Sequence, residues 1–254
     1  METGTQLYLA LLKRVLTNTL FGRTEPDVNE KQETFVMKFL DHYIRGPAIS
    51  MLPLARFDHL QTCVMDVIDR NIPGDLIEAG VWRGGATIFM RALLKALNVT
   101  DRIVWVADSF EGLPEPDAQR FPNEAKAHHG PVMQKALRHL AVSLEEVQAN
   151  FAVFGLLDGQ VQFLKGWFKD TLPEAPIKRL AVLRIDGDYY ESTMDALTNL
   201  YDKLSVGGYA IIDDYGEDSW TYCRQAVDEF RNSHGITEPL LQVDRPCFYW
   251  QRRA

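Results

Sequence analysis

Two short clusters of acids dominate the chemistry open to this sequence. One is Asp186 and Asp188 in the segment Arg184-Ile185-Asp186-Gly187-Asp188; the other is the pair Asp213-Asp214, followed by Tyr215. Each closes a short apolar run, Leu180–Leu183 before the first and Tyr209–Ile212 before the second. Apolar runs of that length, bounded by turn residues, read as buried strands of a parallel sheet. Open α/β sheets bind ligands beyond the carboxyl ends of their strands, so two neighbouring strands would bring four carboxylates to one crevice. Carboxylates that close repel unless protonated or paired. A divalent cation is the simplest remedy, and oxygen ligands favour Mg²⁺, Ca²⁺ or Mn²⁺.

The elements that must carry these acids follow from the pattern around them. Residues 1–70 read as mostly helical, with a polar stretch near Gly22–Glu33. Tyr8, Leu11, Leu12, Val15 and Leu16 follow helical spacing. From Asp75 onward strands and helices alternate, which implies a parallel sheet with helices on its faces. Strands are expected at Asp75–Glu78, Ile103–Ala107 and Val161–Leu164 and at the two acid-bearing runs, with helices over 86–97, 132–151, between the acid clusters, and over 220–233. Glu111–Gly130 is expected to be a long binding loop without structure of its own. Two short closing strands, Leu240–Val243 and Cys247–Trp250, fit a seven-stranded sheet whose last strand is inserted antiparallel.

Between the first strand and its helix lies Glu78-Ala79-Gly80-Val81-Trp82-Arg83-Gly84-Gly85. A dinucleotide fingerprint needs glycine where Trp82 stands, so that a pyrophosphate can approach the backbone; NAD is disfavoured. Asp108 ends the second strand, where an acid can accept both ribose hydroxyls of an adenosine ligand. An adenosine without phosphates, such as S-adenosylmethionine, fits both observations. Both acids could instead cap the turns that follow them.

These segments together resemble the macrocin O-methyltransferase family. The resemblance rests on Pro73–Gly85, on Ala107-Asp108-Ser109-Phe110-Glu111-Gly112-Leu113-Pro114, on the Arg-x-Asp-Gly-Asp segment, on Ile212-Asp213-Asp214-Tyr215 and on Cys223-Arg224-Gln225-Ala226-Val227. It implies an α/β, Rossmann-like class I methyltransferase: a seven-stranded, mostly parallel sheet with the last strand antiparallel, in a domain at 71–254 behind a helical lid or oligomerisation segment at 1–70. It implies methylation of a deoxysugar hydroxyl on a natural product, with S-adenosylmethionine and Mg²⁺. It places Asp186, Asp213 and Asp214 on the metal and makes Asp188 the general base. Glu78, Gly80, Asp108 and Ser109 fall where the cofactor's methionine and ribose are held, and Gly166 and Trp167 at the adenine pocket. Ser50-Met51 resembles a Thr-Met pair of the lid, which puts Met51 against cofactor or substrate. Ala79 departs from a common threonine, and residues 1–49 and 111–130 match no motif, so the acceptor stays open. A homodimer or larger homo-oligomer is also implied.

Bulk properties narrow the classes further. A net charge of −8 opposes a broad nucleic-acid surface or an anionic membrane partner. No apolar run reaches the ~20 residues needed to span a bilayer, and Cys63, Cys223 and Cys247 suit buried reduced thiols, so a cytoplasmic protein is expected. His128-His129, in a polar loop, are expected to face solvent, His59 and His139 to be surface or packing residues, and Trp82 to pack in the glycine turn. Arg184 is expected to pair with a carboxylate or lie at a sheet surface. A catechol-type methyltransferase would use the same acids. A metal-dependent hydrolase leaves Asp108 and the glycine turn without a role, and a nucleoside-binding module without turnover leaves Asp188 unexplained.

Overall fold

The computed structural model describes residues 3–21, 24–26, 38, 40–44, 46–216 and 221–253. Apart from residues 24–26, the polar stretch near Gly22–Glu33 lies outside them, as does Trp220. The chain begins with α1 (Gly4–Leu16), opened by a capping box between Thr3 and Gln6. A short π-helical turn at Leu40–Ile44 precedes α2 (Leu54–Asp69). Then follow β1 (Asp75–Ala79), α3 (Gly85–Ala96), β2 (Val104–Asp108), α4 (Pro122–His128), α5 (Pro131–Leu140), α6 (Leu144–Val153), β3 (Val161–Lys165), α7 (Phe168–Thr171), β4 (Leu180–Ile185), α8 (Tyr190–Leu200), β5 (Leu204–Ile212), α9 (Thr221–Ser233), β6 (Leu241–Gln242) and β7 (Phe248–Gln251).

The seven strands form one sheet in the order β3-β2-β1-β4-β5-β7-β6. Its first five strands are parallel; β7 runs antiparallel to both β5 and β6. The expected inserted final strand is therefore present. Each face of the sheet is covered. On one face Leu9, Leu12 and Leu16 of α1 and Phe57, Leu60 and Val64 of α2 share a core with Ile88, Phe89 and Leu93 of α3. On the other, Leu197 and Leu200 of α8 and Val227 and Phe230 of α9 pack on Leu183, Ile185, Ala210 and Ile212. The sheet, buried on both faces, accounts for the unbroken apolar runs in the sequence.

Two expectations are corrected. The single helix over 132–151 is two helices, α5 and α6, parted at residues 141–143. Ser143 restarts the chain, its hydroxyl accepting from the Glu146 N–H as an N-cap. The loop over 111–130 contains a helix as well, α4. Pro122 and Pro131 open α4 and α5, the helix position where a missing N–H costs nothing.

Register brings the strand tips level. The N–H of Gly80 donates to Ala107 O (2.9 Å), that of Asp186 to Ala79 O (2.8 Å), that of Asp213 to Ile185 O (2.9 Å) and that of Gly166 to Asp108 O (2.9 Å). Strand order reverses between β1 and β4, the switch point at which α/β sheets open a ligand crevice. Gly80 stands there with φ +92°, and a Cβ on it would lie 1.9 Å from the Asp186 carbonyl oxygen. Only glycine permits both the left-handed backbone and that close approach.

Candidate active site

A cavity of about 510 Å³ opens at this switch point, its wall including Gly80, Asp108, Ser109, Trp167, Asp186 and Tyr190. That is within the size range of small-molecule pockets. Five of the residues assigned from the sequence therefore share one wall. Gly166 sits at the end of β3 just before Trp167. Glu78, Asp188, Asp213 and Asp214 lie behind or beside the wall, and Met51 packs against the helical layer on one face of the sheet.

Asp108 performs the turn-capping role as well as lining the cavity. Its Oδ2 accepts the Val81 N–H (2.7 Å) and its Oδ1 the Phe110 N–H (2.8 Å). Burial pushes its carboxyl up, and these backbone donors pull the other way. The two bonds fix the carboxylate while leaving each oxygen spare acceptor capacity. Ser109 donates to Gly112 O (2.8 Å), closing the loop beyond. Trp82 packs as expected: its indole N–H donates to His139 O (2.8 Å) and Arg83 stacks 4.3 Å from its ring.

The acids sit on one buried ionic network. Glu78 and Arg184 are register partners on β1 and β4, and Arg184, 1% exposed, pairs with Glu78, with Asp186 (3.1 Å) and with Asp213 (2.5 Å). This settles the alternatives for Arg184 in favour of a carboxylate partner. Arg56 of α2 pairs with Asp213 and, at 2.7 Å, with Asp244. The sequence held no local signal for Arg56, because its partners are far away along the chain.

β5 ends at Ile212 and the chain then bends, and the two adjacent acids face different ways. Asp213 turns inward to the two arginines. Asp214 turns toward Asp186 and Asp188, so that one oxygen from each of these three lies within 4.8 Å of the others. Asp188 thus joins Asp186 and Asp214, while Asp213 stands beside them. Burial pushes Asp213 up, but Arg184 and Arg56 outweigh it and hold its carboxyl below the usual range. Burial, then the neighbouring acids, push Asp188 and Asp214 well up and Asp186 to about 6. Burial also lifts Glu78 to about 8 against the pull of Arg184; one guanidinium shared among three carboxylates cannot hold all of them ionised. Asp214 Oδ2 is buried without a hydrogen-bond donor. Carboxylate oxygens of Asp186, Asp188 and Asp214 converging on one spot, all of them hard donors, fit a divalent cation.

His128 departs from expectation. It is buried, its Nδ1 bonded to the Tyr189 hydroxyl (2.8 Å); His129 is exposed.

Residues 44–252 match the profile of the macrocin-O-methyltransferase (TylF) family. The chain belongs to this family. It is 48% identical over 258 residues to the 8-demethyl-8-(2,3-dimethoxy-alpha-L-rhamnosyl)-tetracenomycin-C 4'-O-methyltransferase of Streptomyces olivaceus, covering 100% of this chain and 95% of the relative. The mycinamicin III 3''-O-methyltransferase of Micromonospora griseorubida is 46% identical over 256 residues, covering 100% and 99%. The solved O-methyltransferase NovP superposes with a TM-score of 0.85 at 47% identity, covering 98% of this chain and 100% of that one. This member of the macrocin-O-methyltransferase family is accordingly an O-methyltransferase with the class I fold. Among its described residues no helix is long and apolar enough to cross a membrane.

Proposed function

We propose that this enzyme transfers a methyl group from S-adenosylmethionine to a sugar hydroxyl of a glycosylated secondary metabolite, with Mg²⁺ or another hard divalent cation bound. The observation that carries the reading is the meeting of Asp186, Asp188 and Asp214 beside the cavity, Asp186 being common to both. The relatives' names support the acceptor class: one is a 4'-O-methyltransferase of a rhamnosyl-bearing tetracenomycin, and the other a mycinamicin III 3''-O-methyltransferase. When bound, the donor offers an activated methyl carbon, and a hard cation lowers the pKa of a hydroxyl it touches.

The chain's own groups do the rest. Asp186, Asp213 and Asp214 would hold the cation, Asp214 through a buried oxygen that no donor reaches. Asp108 would receive ribose hydroxyls, Ser109 and Trp167 would face the nucleoside, and Gly80 keeps the tip of β1 free of a side chain there. Arg184 and Arg56 offset the charge of Glu78 and Asp213. Asp188, beside the metal acids, takes the proton that the acceptor hydroxyl gives up.

Calorimetry with S-adenosylmethionine, with and without chelator, followed by methyl transfer to a panel of deoxysugar glycosides, tests the reading. Cofactor binding and chelator-sensitive transfer are expected. Failure to bind the donor, or full turnover after exhaustive chelation, would refute it.

A further inference from the structure

The helix α4 has no counterpart in the motifs of the sequence, yet two of its residues, one turn apart, grip the chain immediately after Asp188. Glu124 Oε1 accepts the backbone N–H of Tyr190 (3.1 Å). His128 Nδ1 bonds the hydroxyl of Tyr189 (2.8 Å). Phe121, the residue before α4, lays its ring on that of Tyr190 at 4.5 Å and 30°. These contacts are inside the protein: Glu124 and Tyr189 are each 1% exposed. From the far side, the Tyr190 hydroxyl donates to Glu229 of α9 (2.5 Å). The turn between β4 and α8 is thereby held from two elements that belong to neither.

That grip has a local reason. Asp188 adopts φ +55°, a left-handed conformation that a residue with a side chain keeps only when its surroundings enforce it. Gly187 before it offers no side chain with which to anchor the turn. Residues 189 and 190 are the nearest places from which the direction of the Asp188 side chain can be controlled, and α4 holds both. The spacing of Glu124 and His128, i and i+4, sets them on one face of the helix.

We infer that Glu124 and His128 are positioning residues, which hold the Asp188 carboxylate in its reactive direction by fixing Tyr190 and Tyr189. The inference rests on the reading of Asp188 as proton acceptor. It makes α4 part of the catalytic apparatus without touching donor, acceptor or cation. Reacting groups displaced by about an ångström lose on the order of 10²-fold in rate, so the defect falls on kcat.

The test uses the full-length enzyme in five variants: Glu124→Ala, Glu124→Gln, Glu124→Met, His128→Phe and Tyr189→Phe. Glu124→Ala and His128→Phe are expected to lower kcat by about 10–100-fold, with acceptor KM and the donor Kd from calorimetry within twofold of wild type. Glu124→Gln keeps an oxygen for the Tyr190 N–H and should stay within about threefold of wild type, whereas Glu124→Met, which keeps the packing without the oxygen, should be as slow as Glu124→Ala. His128→Phe and Tyr189→Phe both remove the His128–Tyr189 bond, and His128→Phe also removes the Nε2 contact with Glu115 (3.3 Å), so the double variant should be no slower than His128→Phe alone. Wild-type kcat in Glu124→Ala and His128→Phe overturns the inference, as does a loss that appears only in KM or donor affinity. If Glu124→Ala does not fold, the His128→Phe and Tyr189→Phe pair decides alone by the same criteria. Asp188→Asn is run alongside. Normal turnover in it removes the underlying reading, whereas an inactive Asp188→Asn with fully active α4 variants removes only the positioning role.

Discussion

Replacing Arg184 by Met tests the buried network directly. The substitution leaves a similar apolar stem and deletes the one cation, among the described residues, that pairs with Glu78, Asp186 and Asp213 together. Breaking a buried ion pair from one side typically costs about 3–5 kcal/mol, because the abandoned charge has no compensation. Here the cost is shared unequally. Asp213 keeps Arg56, and the Asp186 side chain, 27% exposed, reaches water. Glu78, 2% exposed, has neither, but its carboxyl already stands at about 8 against an ordinary 4.5 and is mostly protonated at pH 7. Protonation limits the loss to the lower end, about 3 kcal/mol at pH 7, or roughly 6–12 °C in Tm for a chain of this size. The sign with pH follows. A carboxyl raised in the folded state contributes stability that is lost as pH rises from its unfolded value through its folded one. Without Arg184 that window extends upward, so the Tm deficit should be larger at pH 9 than at pH 6. At pH 9, where Glu78 is ionised in the wild type, adding Glu78→Gln removes the abandoned charge and should return at least about 1 kcal/mol relative to the sum of the single effects. Thermal unfolding of the four proteins of this cycle at both pH values measures all three quantities. A Tm within 2 °C of wild type, or strict additivity at both pH values, would refute the reasoning.

Further outcomes are expected elsewhere. Asp214→Asn should weaken metal binding, measured by calorimetry, by more than about tenfold, whereas Asp188→Asn should leave it within a few-fold and lower turnover by about 10²–10⁴; equal metal defects in both would place Asp188 among the ligands instead. Burial of the His59 ring against Tyr249 (4.1 Å) holds its pKa down at about 4. The unfolded chain therefore binds the extra proton between about pH 6.5 and 4, and stability falls as pH drops through that window. His59→Gln should reduce this acid loss by about 1–2 kcal/mol after allowance for partial exposure, read from urea midpoints at pH 7 and 4.5. Gly80→Ala should cost about 3 kcal/mol or more and abolish donor binding, since its Cβ would meet the Asp186 carbonyl.

The sheet was legible because its strands are buried on both sides and so carry unbroken apolar runs; β1, β2, β4 and β5 fall within a residue or two of expectation at their acid-bearing ends. The acids themselves were legible because a strand tip has a fixed address in such a sheet. What escaped was long-range or depended on reading a residue in only one of its roles. Pro122 falls inside the expected loop, though proline opens a helix as readily as it breaks one. Ser143, three residues before Glu146, carried the N-cap that divides α5 from α6, but the apolar spacing on either side hid it. Arg56 and His128 meet partners more than sixty residues or a whole domain away, and no local pattern announces such a contact. Strand alternation sets the adjacent Asp213 and Asp214 on different sides, but which arginines and acids each one meets is decided by distant elements that it does not reveal.

The threading of β7 between β5 and β6 imposes an order on biosynthesis. Until residues 248–251 have left the ribosome, β5 presents a free edge of unpaired backbone groups, and edges of that kind recruit other chains. Nascent or truncated polypeptides that stop short of Phe248 should therefore be sticky, and the strand leading to Asp213 and Asp214 should be the last part of the sheet to become secure.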